Sequence, residues 1–204
     1  MLVLHGTPRS NYVGMVATAL HEKGLEFVFR QQAPEQTAAW LARSPMGKVP
    51  CLETADGTLT ETQVILDYLE AIAPEPALVP SEPFARARLQ QLSRIIELYV
   101  ELPARRLLPA AFFGAEAPAE LREAVAAELD RGFAAVRRLA RFEPWIAGEA
   151  FTQTDIVWHF TMGLADRIAA EILGRDLLAE IPAAAAHREA VEARASLQRW
   201  RALS

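Results

Sequence analysis

The sequence predicts an α/β unit over residues 1–76 joined to an all-α unit over residues 83–204. Three observations carry that expectation. Short β-type runs alternate with helical periodicity as far as Ile72. Four prolines (Pro74, Pro76, Pro80 and Pro83) then fall within ten residues and mark a linker. After them, strand signals all but vanish.

Leu2-Val3-Leu4 reads as a first strand, followed by a loop at Gly6-Thr7-Pro8. Val13, Val16, Ala17 and Leu20 repeat at the spacing of one helical face. Gly24 is placed to stop that helix, because glycine enters the left-handed C′ conformation freely and Leu25 can then fold back on Leu20. Phe27-Val28-Phe29 reads as a second strand, and residues 35–43 as a short helix behind Pro34. Residues 49–53 and 58–61 flank Asp56-Gly57, a strong hairpin turn signal. Ile65, Tyr68, Leu69 and Ile72 predict another amphipathic helix, ended by Pro74. The leading β-α-β unit calls for a parallel pair with a right-handed crossover. A small mixed sheet with helices packed on it buries all these faces.

The second half carries three helical stripes: Leu89, Leu92, Ile96 and Tyr99; Leu129, Phe133, Val136 and Ala140; Val157, Phe160, Leu164 and Ile168. Trp145, Trp158 and Trp200 are expected in the core of this bundle. Thr152 reads as an N-cap with Asp155 at N3, and Phe151 against Ile156 as a hydrophobic staple. Phe112 and Phe113 are candidates to line a pocket.

Composition narrows the function. With 51% hydrophobic and 23% charged residues the chain is an ordinary globular protein. A net charge of -5, with no dense Lys/Arg cluster, argues against nucleic acid. Cys51 is the single cysteine, which excludes an intramolecular disulfide and a cysteine-rich zinc site; it reads as a buried strand residue. His5, His21, His159 and His187 lack metal-ligand spacing, so no metal is expected, although His5 ends the first strand near Ser10. The opening residues do not read as a signal peptide and no apolar run reaches the roughly 18–20 residues of a spanning helix. A cytoplasmic protein is expected.

The chemistry concentrates in residues 44–52 and 59–69. A proline within a strand deletes a ladder donor, so Pro50 is expected to leave the main-chain groups of Val49 open to an extended peptide ligand. Glu61-Thr62 falls where a strand ends and a helix begins, and free N–H groups at such a start suit a carboxylate. The plainer alternatives are a helix cap at Thr62 and an ordinary trans Pro50. Gly47-Lys48 is not a phosphate loop: no glycine stands five residues before it and no Ser or Thr follows.

The stretch from Ser44 to Leu69 resembles the glutathione-binding segment of cytosolic glutathione transferases. Gly47-Lys48-Val49-Pro50, a hairpin, then Glu61-Thr62 opening a helix stand in that family's order, and the proline linker and helical half follow. The resemblance implies a thioredoxin-like N-terminal domain, a helical-bundle C-terminal domain that receives a small hydrophobic electrophile, and a homodimer. Glutathione is the implied co-substrate. Val49, ahead of a cis Pro50, would pair its backbone with the cysteinyl part of glutathione; Glu61 and Thr62 would hold the γ-glutamyl amine and carboxylate; Lys48 would face the glycyl carboxylate. The family more often has serine at position 62, and threonine keeps the hydroxyl.

Ser10, six residues before Val16, is similar to the catalytic serine of theta-like and many bacterial members. A free thiol has a pKa near 8.5 and is only a few per cent thiolate at neutral pH. Lowering that by about two units takes roughly 2.7 kcal/mol, within reach of one charge-assisted hydrogen bond plus a helix dipole. The competing role for Ser10 is the N-cap of the first helix, and Asn11 is a second candidate donor through its amide. A glutathione-binding scaffold without significant catalysis is the alternative function. Isomerisation of the zeta type is a third, weakened by the missing Ser-Ser-Cys pattern around Ser10.

Overall fold

The structure is a computed structural model that describes residues 1–203. It divides into two units: residues 1–78 together with the segment from Glu192 onward, and residues 79–191.

The first unit is built on a four-stranded sheet of order β2-β1-β3-β4. Its strands are β1 Leu2–Gly6, β2 Phe27–Gln31, β3 Cys51–Glu53 and β4 Thr58–Thr60. β1 and β2 run parallel, as the crossover requires, and the other pairs are antiparallel. Helix α1 (Asn11–Glu22) makes the crossover and buries Val13, Val16, Ala17 and Leu20 completely. It ends as its sequence predicts. Gly24 sits at φ +62, its N–H donates to His21 O at 3.2 Å, and Leu25 N–H reaches back to Leu20 O at 3.0 Å. The Asp56-Gly57 turn closes with Thr54 N–H on Gly57 O at 2.8 Å.

Two boundaries differ from the sequence expectation. Helix α2 is only Ala38–Leu41, because Thr37 caps it through Trp40 N–H, while Glu35 N–H is held by Gly47 O. Strand β3 begins at Cys51, so Pro50 stands just ahead of the strand and not within it. Helix α3 (Thr62–Ile72) buries Ile65, Leu66 and Leu69, while Ile72, read as part of the apolar face, is 46% exposed. The proline-rich segment is anchored by a buried Lys23–Glu70 ion pair. Lys23 Nζ also donates to Pro76 O at 2.7 Å, and Glu70 accepts from Leu78 N–H at 3.1 Å, so neither buried charge is left uncompensated.

Further along the chain, α4 (Pro83–Ile96) buries Leu89, Leu92 and Ile96. A π-turn at Glu97–Glu101 follows. Its wider winding advances the buried stripe by one residue, so Val100 takes the interior place and Tyr99, predicted to share the stripe, is 54% exposed. The remaining helices of this unit are α5 (Leu102–Arg105), α6 (Leu108–Phe113), α7 (Ala119–Leu139), α8 (Gln153–Leu173) and α9 (Ala183–Glu192). On α7, Leu129, Phe133 and Val136 are buried as expected; on α8, Val157 and Ile168 are buried, with Phe160 and Leu164 half-buried.

Asp155 forms the capping box at the start of α8. Its fully buried carboxylate accepts from Thr152 N–H at 2.7 Å, Thr152 Oγ1 at 2.8 Å and Ile146 N–H at 2.7 Å, and meets His187 Nε2 at 2.8 Å. Trp158 is buried in this unit against Phe133 and Phe142, and Trp145 stands edge-on to Phe151.

Helix α10 (Ala195–Leu203) packs in the first unit, on α1. Trp200, expected in the helical core, instead stands edge-on to Phe29 of β2 with ring centroids 5.5 Å apart. A large aromatic side chain signals burial; it does not state which element covers it. No helix among the described residues is long and apolar enough to cross a membrane.

Candidate functional site

The strand register of the first unit gathers the predicted site residues at one edge of the sheet. Cys51 at the start of β3 lies opposite His5 on one side and Thr60, the last residue of β4, on the other. Gly6, the last residue of β1, is therefore next to the point where β3 begins and β4 ends. The chain leaving β1 runs through three residues to Ser10, the chain entering β3 arrives through Lys48, Val49 and Pro50, and the chain leaving β4 continues as Glu61 and Thr62.

Ser10 is the N-cap of α1, in extended conformation, and its Oγ accepts from Val13 N–H at 3.3 Å. The capping role is therefore real. It does not exclude a second one. A hydroxyl has one proton to give and two lone pairs to receive, and the cap uses a lone pair. Its proton can be turned outward, from a group already polarised by the first turn of a helix. Asn11 opens α1 and is half-buried.

The Val49–Pro50 peptide bond is cis, as the resemblance implied. Pro50 is buried and Val49 half-buried, and among the described residues Val49 makes no main-chain hydrogen bond. The loop ahead of it is held by Ser44, whose buried hydroxyl donates to Lys48 O at 2.8 Å and whose carbonyl accepts from Gly47 N–H at 2.7 Å. The Lys48 side chain is exposed.

Glu61 precedes α3 at φ 66, ψ 114, a region that L-residues seldom occupy, and makes no side-chain cap. Its carbonyl still accepts from Ile65 N–H at 3.0 Å. The exposed Glu61 side chain is thus directed by the backbone while the first turn of α3 stays uncapped. Thr62 begins that turn and is only 7% exposed. An uncapped helix start with its dipole end open is a place for an anion.

His5 and Cys51 are occupied elsewhere. His5 Nε2 meets Glu53 Oε2 at 2.9 Å, and Arg43 reaches the same oxygen at 2.9 Å. The His5 hydrogen bond above all, then the Arg43 charge, holds the Glu53 carboxyl below its usual range against some desolvation. Cys51 is fully buried, its thiol near Arg43 O at 3.7 Å, and burial pushes its pKa up to about 11. It offers no thiolate at neutral pH. Among the described residues, no group of three or more His, Cys, Asp or Glu side chains is arranged to hold a metal ion.

One residue of this edge escaped the sequence reading, which treated Gly6 as simple loop. It is the end of β1, and a built Cβ there would stand 2.4 Å from Val13 Cγ2. No periodicity signals a contact of that kind.

Known proteins resemble this chain in sequence and fold. Residues 4–77 match a family model described as "Glutathione S-transferase, N-terminal domain". A glutathione S-transferase of Pseudomonas putida is 44% identical over 190 residues, covering 91% of this chain and 84% of that protein. A maleylacetoacetate isomerase of Pseudomonas aeruginosa is 34% identical over a shorter stretch, 43% of each chain. A solved glutathione S-transferase from Rhodospirillum rubrum superposes with a TM-score of 0.79 at 26% identity, covering 98% of this chain and 91% of that one. Another, from Methylobacterium radiotolerans and solved with glutathione sulfonate, superposes with a TM-score of 0.78 at 26% identity, covering 97% and 93%.

Proposed function

The chain belongs to the glutathione S-transferase family, and from that premise we propose that the sheet edge bearing Ser10, Val49 and Thr62 binds glutathione and activates its thiol. The enzyme joins glutathione to a small hydrophobic electrophile. The observation that carries the site reading is the register, which brings three separate chain segments to one edge.

In this reading glutathione lies extended across Val49, whose N–H and C=O pair with its cysteinyl residue. The γ-glutamyl carboxylate rests on the first turn of α3 at Thr62, where free amides and the helix dipole favour an anion. Glu61 takes the γ-glutamyl amine, and Lys48 faces the glycyl carboxylate. The Ser10 hydroxyl donates to the sulfur. The thiol proton leaves to solvent, the thiolate attacks an electrophilic carbon, a C–S bond forms, and the displaced group departs with its bonding electrons. The Ser10 hydrogen bond is worth more to the thiolate than to the thiol, so the thiol pKa falls. Asn11, one residue on, is the second donor able to reach the sulfur. Within the second unit, Phe112 and Phe113 are exposed on α6 and supply apolar surface. A homodimer working in the cytoplasm completes the proposal.

The test is Ser10→Ala, read by the ultraviolet absorbance of the bound thiolate against pH. The thiol pKa is expected to rise by about one to two units, with conjugation at neutral pH slower by roughly three- to twenty-five-fold. Unchanged values remove Ser10 from the mechanism. Calorimetric binding of glutathione without turnover of any electrophile would leave a binding protein in place of an enzyme.

A further inference from the structure

We propose that Gly6 is a positioning residue: its missing side chain sets how closely α1 approaches β1, and so where the Ser10 hydroxyl stands. This deepens the reading of Ser10 as thiolate donor and rests on it.

Gly6 is not needed here for its backbone freedom. Its φ is not in the left-handed region, unlike that of Gly24 or Gly47. What it supplies is space. A Cβ at position 6 would lie 2.4 Å from Val13 Cγ2, 2.7 Å from Val13 Cγ1 and 3.1 Å from Val13 Cβ. Both methyls of a β-branched side chain are involved, so no rotation about χ1 clears them together. Val13 itself is fully buried.

The strand cannot yield instead. Gly6 is paired with Gln31 across β1–β2, and its carbonyl accepts from Gln32 N–H at 2.8 Å. The remaining compliant part is the short connection to the helix. There Ser10 N–H donates to Thr7 O at 3.0 Å, Ser10 Oγ accepts from Val13 N–H at 3.3 Å, and Ser10 O accepts from Gly14 N–H at 3.0 Å. Ser10 is tied to Val13 by the cap itself. A side chain at position 6 that pushes Val13 outward therefore moves the Ser10 oxygen with it. The glutathione contacts at Val49 and Thr62 stand on other segments and are untouched.

The experiment compares the bound thiol pKa and the glutathione Kd of the wild type, Gly6→Ala, Gly6→Ala/Val13→Ala and Ser10→Ala. Gly6→Ala is expected to raise the thiol pKa by about one unit, roughly threefold less thiolate at neutral pH, while Kd stays within about threefold. Removing the opposing methyls in Gly6→Ala/Val13→Ala is expected to restore most of the shift, a rescue that a general loss of stability would not give. Val13→Ile adds bulk at the same contact, keeps the backbone, and serves if Gly6→Ala does not fold; a smaller rise is expected. A shift with Ser10→Ala but none with Gly6→Ala or Val13→Ile overturns the positioning role alone. No shift with Ser10→Ala overturns the donor assignment and the positioning role with it.

Discussion

Glu22 at the end of α1 and Arg194 ahead of α10 form a two-pronged ion pair across 172 residues of sequence, with Nε at 2.6 Å and Nη2 at 2.7 Å from the two carboxylate oxygens. Ser196 adds its hydroxyl to the same carboxylate. The Glu22 side chain is 10% exposed, so the pair is sheltered enough to count. Burial alone would raise the Glu22 pKa, but the Arg194 and Ser196 hydrogen bonds and the Arg194 charge outweigh it and hold the carboxyl below 4.5. A carboxylate with a depressed folded-state pKa stabilises the fold above its unfolded value, and that stability is lost as pH falls through the folded value. Glu22→Gln is expected to cost about 1–2 kcal/mol at neutral pH and to flatten the loss between about pH 5 and pH 3. Urea midpoints across that range check it; a variant with the same acid limb as wild type contradicts the pair's role.

Asp155 is the most heavily committed side chain of the helical unit. Replacing it by alanine frees Ile146 N–H and Thr152 N–H and deprives buried His187 of its partner. A loss of about 3–5 kcal/mol is expected, against about 1 kcal/mol for Thr152→Ala. Comparable losses in the two variants, measured by denaturant unfolding, would mean that the cap and not the wider network matters.

Gly132→Ala should reverse the usual sign. In a helix interior that change ordinarily gains about 1 kcal/mol. Here the new Cβ would meet Tyr99 O at 2.1 Å and Tyr99 C at 2.8 Å, both backbone atoms of the π-turn. A net loss of about 2 kcal/mol or more is expected. A higher melting temperature would show that α7 and the π-turn can separate at little cost.

Cys51 should be chemically silent in the native state. With its pKa at about 11, only about one thiol in ten thousand is ionised at neutral pH, and that one is buried. Alkylation is expected to run at least a hundredfold slower in buffer than in urea. Equal rates would return Cys51 to consideration as a reactive group.

The sequence made some of this plain and hid the rest, for physical reasons. Gly24-Leu25, Asp56-Gly57 and Thr152–Asp155 are local devices whose partners lie within a few residues, so their geometry is written in the order of the chain. The candidate edge could be proposed from sequence because its segments carry special chemistry: a proline at a strand, a hydroxyl at a helix start, a serine at the head of a helix. Tyr99 was misplaced because a single wide turn breaks a 3.6-residue count without any change in composition. Trp200 was misplaced because its partner, Phe29, is remote in sequence. Gly6 was passed over because steric room leaves no pattern.

The docking of α10 on α1 also has a consequence for synthesis. A ribosome makes the four strands first, yet the helix that packs on α1 and Phe29 is made only after the whole of the 79–191 unit. The nascent sheet must wait, with Phe29 uncovered and Glu22 unmatched, for a piece encoded after that whole unit. Quality control by chaperones would meet that open surface on every chain, and a premature stop anywhere before Arg194 would make the exposure permanent.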